Sequence, residues 1–175
     1  MTSTTRFVGW TTVLLAGVAH LALSAGNAQW NQLQKFVAGD RDLSGGTFGS
    51  GGVAVSGDYA IIGDFLNGTD ADGANPLTEA GAAYIFKRDL STGLWTEQQK
   101  LVAAERTAHG GNGQGGWFGR YVAISGNTAF VSDLLEGISV FQRESGTCVW
   151  IERQKIAVLC AQLAIGDDCL MAGIQ

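Results

Sequence analysis

Abundant glycine, a tryptophan-led segment that returns three times, and paired apolar runs split by a tight turn predict an all-β chain of β-propeller blades. Each blade is a four-stranded antiparallel sheet, and the chain holds about two and a half of them, an incomplete ring. Of 175 residues, 26 are glycine and one is proline, while charged residues make up 15%. With ample Val, Ile, Leu and Phe, this is the composition of short strands joined by tight turns. Disorder would need low hydrophobicity and high net charge.

Residues 1–28 read as a secretion signal, leaving 29–175 as the mature chain. Arg6 gives the positive start, Val13 to Leu23 the apolar core, and Gly26-Asn27-Ala28 a small-x-small cleavage site ending at Ala28. The apolar run is shorter than the roughly 20 residues of a membrane span, so the mature chain is expected without one. Removing the signal takes away Arg6 and no acid, moving the net charge from −5 to −6. An acidic exported chain is a poor partner for nucleic acid, whose phosphates need clustered Lys and Arg.

The repeat is read directly. Trp30-Asn-Gln-Leu-Gln-Lys35-Phe-Val-Ala returns as Trp95-Thr-Glu-Gln-Gln-Lys100-Leu-Val-Ala and as Trp150-Ile-Glu-Arg-Gln-Lys155-Ile-Ala-Val, with starts 65 and then 55 residues apart. A second block, Val53-Ala-Val-Ser-Gly-Asp58-Tyr-Ala-Ile-Ile-Gly-Asp64, matches Val122-Ala-Ile-Ser-Gly-Asn127-Thr-Ala-Phe-Val-Ser-Asp133 and, in a third copy, the run Leu163 to Gly173. A third block, Ala83-Tyr-Ile-Phe86, matches Ile138-Ser-Val-Phe141, each ending nine residues before the next tryptophan.

Each block has the chemistry of a strand. Val53-Ala-Val and Ala60-Ile-Ile flank Ser56-Gly-Asp58, which predicts a hairpin with Gly57, and Gly126 in the second copy, at the position needing a positive φ. The Tyr84-Ile-Phe block and the Lys35 and Lys100 segments supply the remaining strands. No 3.6-residue apolar period runs through these blocks, which excludes a helical repeat. The recurring Trp30, Trp95 and Trp150 are expected to pack between blades.

Phe48-Gly49 and Phe118-Gly119, each ahead of a Val-Ala-x-Ser-Gly hairpin that closes on Ile/Val-Gly/Ser-Asp, resemble FG-GAP repeats. The resemblance runs from about Gln34 to Gly173 and implies the β-propeller of integrin α-chain heads and of many secreted microbial proteins. The departures are informative. The family's Gly-Ala-Pro is Gly63-Asp64-Phe65 in the first copy and Ser132-Asp133-Leu134 in the second, and the third copy has no Phe-Gly. The calcium loop of integrin-type repeats has shrunk to Ser56-Gly57-Asp58 and Ser125-Gly126-Asn127, too short to wrap a cation that wants six to eight oxygens. Calcium is therefore not carried over, and no cofactor is expected.

In an antiparallel four-stranded blade, the 4-to-1 and 2-to-3 connections leave on one face. The long connections 39–47, 104–117 and 65–80 all belong to it, and the last is 14 residues longer than its second-copy counterpart. Long loops on one side of a rigid scaffold are where binding residues usually lie. The candidate binding residues are Arg41 and Asp42; Asp64, Asn67, Asp70, Asp72 and Asn75; and Arg106 and His109. Asn67 to Asn75 alternates oxygen donors as cation loops do but lacks the terminal bidentate Glu, so a solvated turn is the better reading. Asn67-Gly-Thr69 is also an N-glycosylation sequon in a eukaryotic host. Trp117 is expected to plug the core. The glycines from Gly110 to Gly116 are a flexible loop, since no strand and helix with a phosphate-binding Lys follow them.

Cys148, Cys160 and Cys169 are odd in number, leaving at least one thiol unpaired within the chain; Cys160 and Cys169 fall on neighbouring strands of the third copy. One mature histidine and these spacings suit no zinc site. Neither Gly-x-Ser-x-Gly nor His-Glu-x-x-His occurs, so no catalytic residue is assigned. The function expected is non-enzymatic binding or adhesion outside the cell, with an extracellular protein or glycan as partner. A structural surface repeat without a discrete ligand, or a propeller hydrolase or lyase acting on extracellular glycans, are the alternatives. Closed rings have at least four blades, so either a longer gene product or self-association of copies completes this one, the former favoured.

Overall fold

The computed structural model describes residues 32–40, 47–106, 116–157, 162–165 and 170–173. Among these there is no helix, and ten strands form three antiparallel sheets. The first sheet orders β1 (Val53–Ser56), β2 (Tyr59–Asp64), β3 (Ala82–Arg88) and β4 (Trp95–Leu101) in sequence. The second repeats it with β5 (Val122–Ser125), β6 (Thr128–Asp133), β7 (Gly137–Arg143) and β8 (Trp150–Ile156). β9 (Gln162–Ile165) and β10 (Leu170–Gly173) form a two-stranded third. β1 packs on β5 and β5 on β9, so the inner strands stand side by side as in a propeller whose ring is not closed. The predicted signal, the Ala28 cleavage site, Trp30, Cys160 and Cys169 lie outside the described residues.

The three inner hairpins share one register. Val53 faces Ile62, Val122 faces Val131 and Leu163 faces Ala172. In the first two, Ser56 and Ser125 pair with Tyr59 and Thr128, leaving two-residue turns. Gly57 and Gly126 take the first turn position with φ of 57° and 54°, which only glycine adopts without strain. The Lys35 segment differs from the strand expected of it: residues 33–38 lie against the first sheet, through Phe36 and Ala38, without joining a ladder. β4 and β8, its sequence equivalents, pair with β3 and β7, whereas among the described residues no third strand precedes it.

Both outer strands carry the same bulge. Ile85 pairs with Gln99 and Phe86 with Glu97, so Gln98 is extra; Val140 and Phe141 treat Arg153 alike. An added residue breaks the two-residue side-chain alternation. Trp95, Glu97 and Lys100 therefore join Tyr84 and Phe86 on the face toward the preceding segment, while Gln99 and Leu101 join Ile85 on the face toward the following blade.

That inversion builds the contact between blades. Gln99 Nε2 donates to the carbonyl of Trp150 at 2.8 Å, and the Trp150 N–H donates to Gln99 Oε1 at 2.8 Å. Gln34 grips Trp95 in the same way, at 2.5 and 2.8 Å. From the opposite direction, Glu97 accepts the Gly39 N–H at 2.7 Å and Glu152 the Ala104 N–H at 2.9 Å. Between the two sheets lies a core of Ile61, Ile85, Leu101, Val122, Val131, Phe141 and Trp150. Trp150 is 2% exposed and meets Tyr59 of the first sheet edge-on at 5.8 Å, as a tryptophan packed between blades should. On its other face the first sheet packs Tyr84 and Phe86 against Phe36 and Phe48.

Phe118, fully buried, is the plug that the sequence reading assigned to Trp117; Trp117 itself is half-buried with φ of 45°. Bare backbone makes room for the Phe-Gly turn. A Cβ on Gly63 would sit 1.9 Å from the Gly119 carbonyl oxygen, and one on Gly81 2.0 Å from that of Phe118. Gly63→Ala should therefore lower the unfolding free energy by about 1–3 kcal/mol or more. Gln99→Ala, which strips both bonds from the Trp150 backbone, should lower it by about 1–3 kcal/mol. Leu90→Ser, on an exposed turn, should change it by less than about 0.5 kcal/mol. Urea unfolding checks all three.

Candidate functional site

The expected convergence of long connections is found. Residues 65–81 join β2 to β3 and 102–121 join β4 to β5, and the two meet where Gly81 bridges Phe118 in parallel. Arg106 Nη1 donates to the Asn75 carbonyl at 2.9 Å and Nη2 to that of Gly68 at 3.0 Å, tying the same connections together farther out. Asp40 and Thr47, on either side of the 4-to-1 segment ahead of β1, reach this end too. The two-residue turns at 57–58 and 126–127 lie at the opposite end of the strands.

A buried ammonium fixes the face. The side chain of Lys100 is 4% exposed, and its Nζ donates to Asp40 Oδ2 at 2.6 Å, Asn67 Oδ1 at 2.8 Å and Thr69 Oγ1 at 2.6 Å. Three protons meet three acceptors, which is what a desolvated ammonium requires. Tyr84 OH donates to Asp40 Oδ1 at 2.6 Å and accepts from Asn67 Nδ2 at 2.9 Å. Burial alone would push Asp40 up, but hydrogen bonds from Lys100, Tyr84 and Thr69, together with the ammonium charge, hold its pKa at about 2. Desolvation, and then the Asp40 carboxylate, drive the Tyr84 phenol upward. In the second blade, where residues 134–136 span the same connection, the one partner of Lys155 among the described residues is Glu136, at 3.2 Å. The network thus belongs to the elaborated loop.

The predicted residues divide between struts and surface. Asn67 is buried, and its amide nitrogen donates to the Tyr84 hydroxyl, an arrangement with no room for a glycan on that nitrogen. Asp64 is also buried and accepts the Thr47 N–H at 3.0 Å and Oγ1 at 2.9 Å; its desolvated carboxyl titrates above the ordinary range. Its counterpart Asp133 is 1% exposed and accepts the N–H groups of Leu135 and Glu136, each at 2.9 Å. Asp70 folds its own turn, taking the N–H groups of Ala74 and Asp72 at 2.8 and 3.0 Å and the side-chain amide of Asn75; bonds from Ala74 and then Asn75 hold its carboxyl below the usual value. Arg41, Asp42 and His109 lie outside the described residues. Among the described residues no group of three or more His, Cys, Asp or Glu could hold a metal ion.

Two surface features remain. A cleft of about 460 Å³ runs between β4 and β8, bordered by Asp70, Asp72, Ala104, Arg106 and Glu152. Nearer the inner strands, the Arg120 guanidinium lies over Trp117, Phe65 and Tyr121, with its carbon 4.9, 5.3 and 5.7 Å from the three ring centres. Phe65 and Trp117 meet edge-on at 5.8 Å, and all four side chains are half-buried. Sequence reading did not single out Arg120 or Tyr121. The signal available was the aromatic-basic run Trp117-Phe118-Gly119-Arg120-Tyr121, but its partner Phe65 is 52 residues from Trp117.

Residues 30–86 match the model of the FG-GAP repeat family. The match takes in the first tryptophan-led segment and β1 to β3. No curated protein and no solved structure matches the chain. Among the described residues no helix is long and apolar enough to cross a membrane.

Lys100→Met would leave Asp40 beside Asn67 and Thr69 without its cation and should destabilise the fold by about 3 kcal/mol. Acid should act through Asp40. Its folded pKa lies below the ordinary 3.8, so the stability it contributes is complete above that value and is lost as pH falls toward 2. Asp64 works in the opposite sense, its raised pKa favouring the fold when protonated and losing that contribution as pH rises. Urea midpoints measured downward from pH 5 should fall for the parent chain and fall less for Asp40→Asn.

Proposed function

We propose, on the premise that this chain is an FG-GAP repeat protein, that it is an exported, non-enzymatic binding module. Its loop face takes an extracellular protein or glycan, and neither a metal nor another cofactor takes part. The observation that carries this reading is the 65–81 connection. It is elaborated in the first blade alone of the two complete ones, held by a buried Lys100, and set along a cleft with Asp70, Asp72, Arg106 and Glu152. A loop that uses a buried charge to stay in place is pre-organised, and pre-organisation lowers the ordering entropy that binding must overcome. The half-buried aromatics under Arg120 and the exposed carboxylate of Asp72 add the mixture of apolar surface and convergent polar groups that ligand sites share.

Location supports the same reading. FG-GAP repeats are typically extracellular domains, and the first 28 residues carry the pattern of a secretion signal. The formal charge of −5 argues against nucleic acid as the partner.

Retention of the chain on arrayed glycans and on immobilised extracellular-matrix proteins tests the proposal. Asp72→Ala and Arg120→Ala should each weaken binding at least about tenfold, or 1.4 kcal/mol, with the fold retained by circular dichroism, while Leu90→Ser at the opposite end should leave binding unchanged. Full retention by both loop-face variants would favour a structural repeat, and turnover of a glycan would favour a hydrolase or lyase.

A further inference from the structure

Every other arginine among the described residues spends its terminal nitrogens inside the fold. Arg88 meets Asp58 at 2.6 Å, Arg153 meets Glu144 at 2.7 Å, and Arg106 holds two backbone carbonyls. Arg143 is shared between the Asn127 side chain and the Cys148 sulfur. Arg120 is the exception. Its Nε donates to the Tyr121 hydroxyl at 3.3 Å, while Nη1 and Nη2 meet no acceptor among the described residues. The guanidinium is nevertheless held in place, half-buried over the rings of Trp117, Phe65 and Tyr121. Its outer nitrogens form an open fork, the shape that receives a carboxylate through two parallel hydrogen bonds.

The turn that carries Arg120 is strained where its counterpart is not. The Arg120 N–H donates to the Trp117 carbonyl at 3.1 Å, as the Ser50 N–H does to that of Thr47 at 2.8 Å. Trp117 therefore stands where the first blade has Thr47. Its φ of 45° is an outlier for so bulky a residue, whereas Thr47 is not among the residues of positive φ. Thr47 caps Asp64, but Trp117 lies under Arg120 and edge-on to Phe65, and the core is left to Phe118. Strain of this kind, kept at a surface and not needed for the core, gathers at functional sites.

We propose that this platform binds the carboxylate of an acidic sugar, a hexuronate within an extracellular glycan. The proposal rests on the binding-module reading above and narrows its ligand. A peptide carboxylate would also suit the fork, but a peptide strand needs backbone to pair with. Here the backbone N–H groups are taken: that of Phe118 by Ala80, of Gly119 by Ser132, of Arg120 by Trp117 and of Tyr121 by the Ser132 hydroxyl. Only side chains are on offer. The fork takes the carboxylate, and the Tyr121 hydroxyl proton, which meets no acceptor among the described residues, is left to donate to a sugar oxygen. The half-buried rings supply apolar ground for the C–H face of the sugar. One fork suits one planar charge; a run of phosphates needs clustered cations, and the chain carries a formal −5.

Calorimetric titration of the full chain with oligosaccharides of galacturonate, glucuronate and mannuronate tests this. The same oligosaccharides reduced at the carboxyl to neutral sugars, and an oligo-glutamate peptide, are the comparison arms. At least one uronate should bind, and reduction of its carboxyl should weaken it at least about tenfold. Arg120→Lys, which keeps the charge but not the fork, should weaken that uronate at least about tenfold with circular dichroism unchanged. Tyr121→Phe, which keeps the ring, should weaken it about threefold. Uronate binding that survives carboxyl reduction or Arg120→Lys would overturn the proposal, as would tighter binding of oligo-glutamate. If no uronate binds while other arrayed glycans or matrix proteins are retained, the uronate assignment falls and the binding-module reading stands. If nothing is retained, both fall.

Discussion

The extra residue in each outer strand is the constraint on which the structure depends. A regular strand would send Glu97 and Gln99 to the same side. With Gln98 inserted, they face opposite neighbours, and one strand serves two contacts. Glu97 caps the Gly39 N–H of the segment before it, and Gln99 grips the Trp150 backbone of the blade after it. Leu101 passes to the side of the following blade with Gln99, while Lys100 passes to the opposite side with Tyr84. The hydrophobic core between sheets and the buried ammonium on the loop face therefore share one cause. Both contacts made by the glutamine are to backbone, so they fix register without demanding a particular side chain from the partner.

The same economy governs the loop face. Two groups that look ligand-binding in the sequence, Asp64 and Asn67, are internal supports that spend their hydrogen bonds on Thr47 and Tyr84, as Asp40 does on Lys100. Buried polar groups of this kind must be satisfied within the fold. Asp72 and Arg120 are among the groups left at the surface, and the cleft between β4 and β8 is lined by Gln99 and Trp150, which hydrogen-bond across it.

The inner hairpins were fully legible. Val-Ala-x-Ser-Gly states the strand, the turn and the positive φ in consecutive residues, and the register of three copies follows. The sharing of one face by 65–81 and 102–121 was legible too, because antiparallel order alone dictates it. The segment 33–38 was misread as a strand, since a strand-like sequence becomes a strand only when a neighbour offers its ladder. Trp117 and Phe118 exchanged roles for a similar reason. Adjacent aromatics are equally apolar, and the backbone approach of Gly81 and Gly63 selects Phe118 for the core.

By itself the sequence determined the class of fold, the repeat, the strand order within a blade and the side from which long loops emerge. Each of these follows from periodicity and turn chemistry, which are local. Which carboxylates are buried, which glutamine points forward, and where Arg120 finds its aromatic bed were decided only by the tertiary structure. Those outcomes depend on residues 17 to 61 positions apart meeting at hydrogen-bond distance, and on one bulged residue whose effect is to reverse the direction of every side chain that follows it.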